Sequence, residues 1–201
     1  MKKILLILSL PLLMMSWDGL LETQVLDLKA VLRVQADEPY QTTESDGDFV
    51  ESSVITPEDV RDDLEDVDLS SVSEVNISSI NLNISENPGN EARYVLISGF
   101  FEDENTPRTE VFSEYLADLS AFGGSELNPV TGYELTGINL LSDKLFDILR
   151  NNDFGSFVLS VEGSSADANG NATGDAIFLE IELEIEAEAI FTEELDVPNL
   201  P

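Results

Sequence analysis

From Ala176 to Phe191 the sequence AIFLEIELEIEAEAIF sets Ile177, Leu179, Ile181, Leu183, Ile185, Ala187 and Ala189 on alternate positions. Glu180, Glu182, Glu184, Glu186 and Glu188 fall between them. A period of two is the signature of a β-strand, whose successive side chains point to opposite faces. Strict alternation over ~15 residues, about 50 Å at 3.3 Å per residue, requires one long strand with a dry face and a wet face. The dry face needs a second layer, and a slip of one residue would bury all five carboxylates. Adjacent glutamates on such a strand stand about 7 Å apart, which gives mild repulsion in water and leaves no cage for a metal ion. The row therefore reads as a solvated sheet face whose natural compensation is a basic neighbour on the adjoining strand.

Thr23 to Val34 (TQVLDLKAVLRV) offers that neighbour. Leu26, Leu28, Ala30, Leu32 and Val34 share one face, and Asp27, Lys29 and Arg33 share the other. The two strands are expected to pair, with Lys29 or Arg33 beside the glutamates. Between Asp37 and Ser53 the apolar content falls away, and the segment is expected to be a loop. Within it Asp46, Gly47 and Asp48 could approach a cation, although Asp-Gly is the usual mark of a turn.

Thr56-Pro57-Glu58-Asp59 is a helix start: a capping hydroxyl, proline at the first helical position and acids in the first turn. Val60, Leu64 and Val67 continue it as a short amphipathic helix. Val75 to Ser85 (VNISSINLNIS) alternates, with a change of parity at Ser78-Ser79 that calls for a bulge or a break. After the turn Asn87 to Asn90, Arg93 to Glu102 (RYVLISGFFE) is apolar enough for an interior strand, with Gly99 at a bulge or bend. Thr106 to Phe122 fits both a helix (Val111, Tyr115, Leu119, Phe122) and a strand (Val111, Ser113, Tyr115, Ala117, Leu119); its place after ENTP favours a hairpin strand. Gly123-Gly124 and Asn128-Pro129 interrupt the chain. Ser142 is expected to cap a helix of about three turns over DKLFDILRNN, closing near Asn152. Phe157 to Glu162 is a short strand, and the tail LDVPNLP is expected to fray. Strands joined by turns, without regular strand-helix alternation, define an antiparallel β-sandwich with one or two short covering helices.

The chain carries 41 acidic and 9 basic residues among 201, no histidine and no cysteine. Clustered Lys and Arg are what bind phosphate backbones and anionic membranes, so nucleic-acid partners are excluded. Disulfides, thiol nucleophiles and thiolate or imidazole metal sites are also excluded. Three accounts of the acidity stay open: solubility through like-charge repulsion, a saline habitat in which that repulsion is screened, and binding of divalent cations by carboxylate oxygens.

MKKILLILSLPLLMMS, residues 1–16, reads as a signal peptide: Lys2 and Lys3 precede an apolar run too short to span a bilayer as a helix. Its end, LLMMS-W-DG, has the form of a lipoprotein signal in which Trp17 stands where the lipidated cysteine belongs. Residues 17–201 then form a single domain. With this leader, the run DVRDDLEDVDLSSVSEVNISSINLNIS, the helix LSDKLFDILRNN and FVLSVEGSSADANGN before a final strand, the chain resembles uncharacterised small envelope lipoproteins of the Bacteroidetes and their saline relatives. The resemblance covers most of the chain and implies a β-sandwich module without assigned activity. Trp17 departs from that pattern, so lipid anchoring does not carry over.

The most site-like loop is DANGNATGD, in which Asp167, Asn169, Asn171 and Asp175 are candidate calcium ligands at alternating positions. Ala172 falls where the helix-loop-helix calcium motif needs glycine, and Phe178 where it needs a bidentate glutamate. Asn-Gly between two strands is also a strong hairpin signal, and a hairpin is the expected structure. Three sequons, at Asn76, Asn83 and Asn171, read as chance occurrences. A carboxylate pair of the glycosidase kind carries no information in so acidic a chain. The sequence thus points to an exported, non-catalytic structural or binding module of the bacterial cell envelope, in the periplasm, on the outer membrane surface or outside the cell. It would need no cofactor and meet an envelope protein or glycan. The alternative is a calcium-dependent adhesion or carbohydrate-binding module using acidic loops.

Overall fold

The alternating segment is one strand, β9 (Ile177–Leu195), and both of its edges are paired. The structure, a computed structural model, describes residues 24–36, 38–64, 68–122, 127–151 and 155–195. The leader with Trp17, Val67, Gly123-Gly124, Asn152 and the tail beyond Leu195 lie outside the described residues. In chain order the elements are β1 (Gln24–Gln35), β2 (Tyr40–Glu44), β3 (Asp48–Ile55), α1 (Pro57–Arg61), β4 (Val72–Glu86), β5 (Tyr94–Glu102), β6 (Thr109–Asp118), β7 (Asn128–Pro129), α2 (Leu135–Arg150), β8 (Phe157–Ala166) and β9.

One sheet has the order β1-β9-β4-β7, with β2 also on β9; the other has the order β3-β8-β5-β6, and every pairing is antiparallel. Along one edge of β9, β1 covers residues 184–195 and β2 covers 177–181, so two short strands share one long partner. Along the other edge β4 runs from Phe191 to Leu179. The protein is an antiparallel β-sandwich with two covering helices, as the element pattern predicts. Its interior is the alternate row of β9, from Ile177 to Phe191, packed with Leu28 to Val34 of β1, Ile80, Leu82 and Ile84 of β4, and Val95, Ile97, Phe101, Phe157, Leu159 and Val161 of the facing sheet.

The parity change in β4 is a bulge between Ile77 and Ser79 rather than a break. In β5 the register shifts on both sides of Gly99, which faces Phe112; a Cβ there would overlap the Phe112 ring. The ambiguous segment is a strand from Thr109 to Asp118, paired with β5.

Three expectations are corrected. Asp37 to Ser53 is not a loop: it holds β2 and most of β3, which pass from the first sheet to the second around Gly47 at φ +83°. Its low apolar content misled because the inner row of β2 includes a fully buried Thr42 and that of β3 includes Glu51 and Ser53. Helix α2 begins at Leu135, with Ser142 inside it. Its buried stripe, Gly137, Leu141, Lys144, Leu145, Ile148 and Leu149, has helical spacing throughout. Gly137 is needed because a Cβ would strike the carbonyl oxygen of Glu110. Finally, β8 and β9 do not form a hairpin. Both edges of β8 are already taken by β3 and β5, so the chain turns back for only a bridge between Ala166 and Ala172 before it crosses to the other sheet.

The open sides of the sandwich are closed by specific contacts. Ser165 N–H donates to Gly47 O at 2.7 Å, joining the end of β8 to the turn where the chain passes from β2 to β3. Across the interior the buried Tyr40 hydroxyl donates to Leu159 O at 3.2 Å, and burial pushes the pKa of that phenol up. Helix α2 packs on β4 and β6. At the adjoining edge of β4, Ile80 N–H donates to the Tyr133 hydroxyl and Ile80 O accepts from Val130 N–H. Helix α1 starts with a reciprocal capping box between Thr56 and Asp59, and its Arg61 donates twice to Ile148 O, a carbonyl in the last turn of α2.

Lys144 of α2 reaches Asp103 in the β5–β6 turn at 3.5 Å, with both side chains 6% exposed. Burial alone would raise the Asp103 carboxyl, but the N–H groups of Asn105 and Thr106, the Thr106 hydroxyl and Lys144 together hold it below the usual carboxylate range. Removing one member of a buried ion pair costs about 3–5 kcal/mol. Lys144→Met is expected to lower the unfolding free energy at neutral pH by at least about 2 kcal/mol, since Asp103 keeps its backbone donors. A depressed carboxyl contributes stability above its unfolded value and loses it as pH falls through the folded one. The wild-type advantage over Lys144→Met, read from urea midpoints, should therefore shrink below about pH 4.

Candidate functional site

On the outer row of β9 stand the five ladder glutamates, Glu180 to Glu188, and the flanking strands meet each of them. On the β1 and β2 side, Lys29 Nζ lies 2.7 Å from Glu188, Arg33 Nε 3.7 Å from Glu186, and Gln41 Nε2 donates to Glu180 at 2.8 Å. On the β4 side, Asn83 Nδ2 donates to Glu182 at 3.0 Å and Asn81 Nδ2 reaches Glu184 at 3.5 Å. Two carboxylates 7 Å apart repel by about 0.6 kcal/mol in water, so one donor per glutamate is enough to offset the row. Lys29 and Arg33 stand where the alternation of 23–34 predicts. The amides of Asn81, Asn83 and Gln41 are the residues that sequence reasoning misses. Their signal is present: SINLNIS alternates with the same period as the glutamates, and its polar positions are donors.

Where β1 hands over to β2, Gln35 pairs with Glu184 and Tyr40 with Ile181, so the connection faces Glu182 and Leu183 without strand pairing. A cleft of about 160 Å³ opens there, lined among others by Glu38, Pro39, Leu127, Glu182 and Glu184. Ligand pockets usually measure about 300–1,000 Å³, so this one is sized for the tip of a single side chain.

The calcium-like loop has spent its leading carboxylate on itself. Asp167 Oδ1 accepts from the N–H groups of Asn169 at 2.7 Å and Asn171 at 3.0 Å, and the Asn171 amide lies 3.0–3.1 Å from both carboxylate oxygens. These donors, the Asn171 side chain first, hold the Asp167 carboxyl below its usual range. Gly170, at φ +81°, supplies the left-handed turn position. Asn169 and Asn171 are exposed at the turn, while Asp175 lies past it on the crossing to β9, with its carbonyl against Gly47. That contact brings the loop beside the Asp46-Gly47-Asp48 turn. Among the described residues no group of three or more carboxylates is placed to hold a metal ion. The arrangement is an Asx-type turn that satisfies its own backbone.

The second sheet presents a different outer face. Arg108 lies over the Phe100 ring at 3.5 Å from its centroid and bonds Glu162 at 2.7 Å. Beside it Val50 and Val54 of β3 are 67% and 60% exposed. No helix of the described residues is long and apolar enough to cross a membrane. No protein-family model matches the sequence, and no curated protein matches it.

Two measurements test this geometry. Lys29→Gln should cost less than about 1 kcal/mol, as exposed pairs do, and the difference should vanish near about 1 M salt. Asp167→Ala should raise amide exchange at Asn169 and Asn171. In the unmutated protein the protection should hold above about pH 4 and be lost as pH falls through the depressed Asp167 value.

Proposed function

We propose that this chain is an exported, non-catalytic structural or binding module of a bacterial cell envelope, meeting an envelope protein or glycan. The leader-like residues 1–16 support export, and the resemblance to small envelope lipoproteins supports the compartment. The observation that carries the reading is that the five ladder glutamates and Asp167, the carboxylates most site-like in a chain without histidine or cysteine, are engaged in holding the fold. Each of the five ladder glutamates meets a donor on a neighbouring strand. Asp167 is filled by its own turn. Carboxylates committed in this way fix register and turn geometry.

Expression of the full chain with a C-terminal tag, followed by cell fractionation and intact mass measurement, tests the reading. The protein should appear in the envelope or the medium with residues 1–16 removed; a full-length cytosolic product would overturn export. Calcium titration of the same protein should give neither heat nor a rise in Tm. Saturable binding with a Tm rise would replace this reading with the calcium-dependent adhesion or carbohydrate-binding module, because a ligand of the native state must stabilise it.

A further inference from the structure

Among the described residues, β3 is an end strand of its sheet, paired only with β8. An end strand offers a row of unpaired backbone donors and acceptors, and proteins usually protect it with charge, proline or a covering element. Here the outer row, Asp48, Val50, Ser52 and Val54, contains the two exposed valines. The inner row, Phe49, Glu51, Ser53 and Ile55, has apolar ends and a polar middle.

We propose that β3 is a self-association edge, pairing antiparallel with β3 of a second copy about a two-fold axis through Ser52. The sequence DFVESSVI is complementary to itself in that register and in neither neighbouring one. With Ser52 opposite Ser52, each Val50 meets the other copy's Val54, Phe49 meets Ile55, and Glu51 meets Ser53, so apolar faces apolar and each carboxylate faces a hydroxyl. Centring on Glu51 instead sets acid against acid, and centring on Ser53 sets Glu51 against Ile55. Glu51 thus acts as a filter on the edge, rejecting strands that bring an acid opposite it while admitting its own copy. The formal charge of −32 per chain opposes association, and salt screens that repulsion. The dimer therefore strengthens as salt rises, the reverse of an assembly held by ion pairs.

Analytical ultracentrifugation of the full chain should show a monomer–dimer equilibrium that shifts toward dimer between low and high salt. Val50→Lys with Val54→Lys should weaken dimerisation at least about tenfold while leaving the circular dichroism spectrum unchanged, since both side chains are exposed. A second measurement does not depend on that variant. The chain has no cysteine, so Ser52→Cys should cross-link to itself under oxidation or with a short thiol-reactive linker. Val50→Cys and Val54→Cys should each cross-link poorly alone and efficiently when mixed. A monomer at every concentration and salt, a dimer untouched by the double lysine variant, or cross-linking without preference for Ser52→Cys would overturn the proposal.

Discussion

The rest of the structure depends on one constraint: five carboxylates on one strand have to stay wet, and each needs a donor. A strand at the edge of a sheet has neighbours on one side only. Strand β9 has them on both, and it uses both, taking Lys29, Arg33 and Gln41 from one edge and Asn81 and Asn83 from the other. Its central position and its polarity are therefore the same fact. Parity does the rest, since a one-residue slip would drive the glutamates into the layer now filled by Ile177 to Phe191. Once β9 is central, β1, β2 and β4 have their places, and β8, paired on both edges in the other sheet, has no room for it.

Basic residues are scarce, and their placement follows from that scarcity. After the leader there are seven, and six of them are set against a particular acid, carbonyl or ring. Lys29 and Arg33 serve the glutamate row, and Arg61 holds the last turn of α2. Arg93 pairs with Asp118 and lies over Tyr94, while Arg108 pairs with Glu162 and lies over Phe100. Lys144 ties α2 to the β5–β6 turn. In so acidic a chain a cation left to roam would find many equivalent partners. A fixed one identifies a single arrangement of strands, which suits a role in specificity more than in bulk stability.

Much of the sandwich was legible because its longest strands carry hydrophobic periodicity. The β1–β9 pairing, the bulge at Ser78-Ser79, the shift at Gly99 and the strand at Thr109 to Asp118 all follow from parity or from a glycine in an apolar run. What failed was information of another kind. Strands β2 and β3 owe their existence to backbone pairing with longer partners, and a buried Thr42 beside an inward Glu51 leaves no apolar pattern to read. Helix α2 starts at Leu135, ahead of the expected Ser142 cap, and its first turns carry Gly137 against the Glu110 carbonyl, a contact no local pattern announces. The turn at Asn169-Gly170 was local and readable, but the departure of β9 from β8 beyond it was not. Which sheet receives β9 is decided by which edges are already taken, a property of the whole chain.

The carboxylates singled out in the sequence hold the fold in two ways, one for the ladder glutamates and one for aspartates at turns. The five ladder glutamates lie along a strand, where a longer side chain reaches a donor on the neighbouring strand. Four aspartates lie at the start of turns, where a shorter side chain reaches N–H groups two to four residues ahead: Asp68 to Ser70, Asp103 to Asn105 and Thr106, Asp118 to Ser120, and Asp167 to Asn169 and Asn171. In Asp68, Asp118 and Asp167 a side-chain donor within the same turn is the leading cause of a lowered pKa, which marks the ionised form as the one the fold uses. A calcium loop and a self-capped turn share the spacing of Asp, Asn and Gly because both need a short acceptor and a left-handed residue. At Asp167 both needs are met within the turn, from whose Asn169 and Asn171 N–H groups the carboxylate accepts.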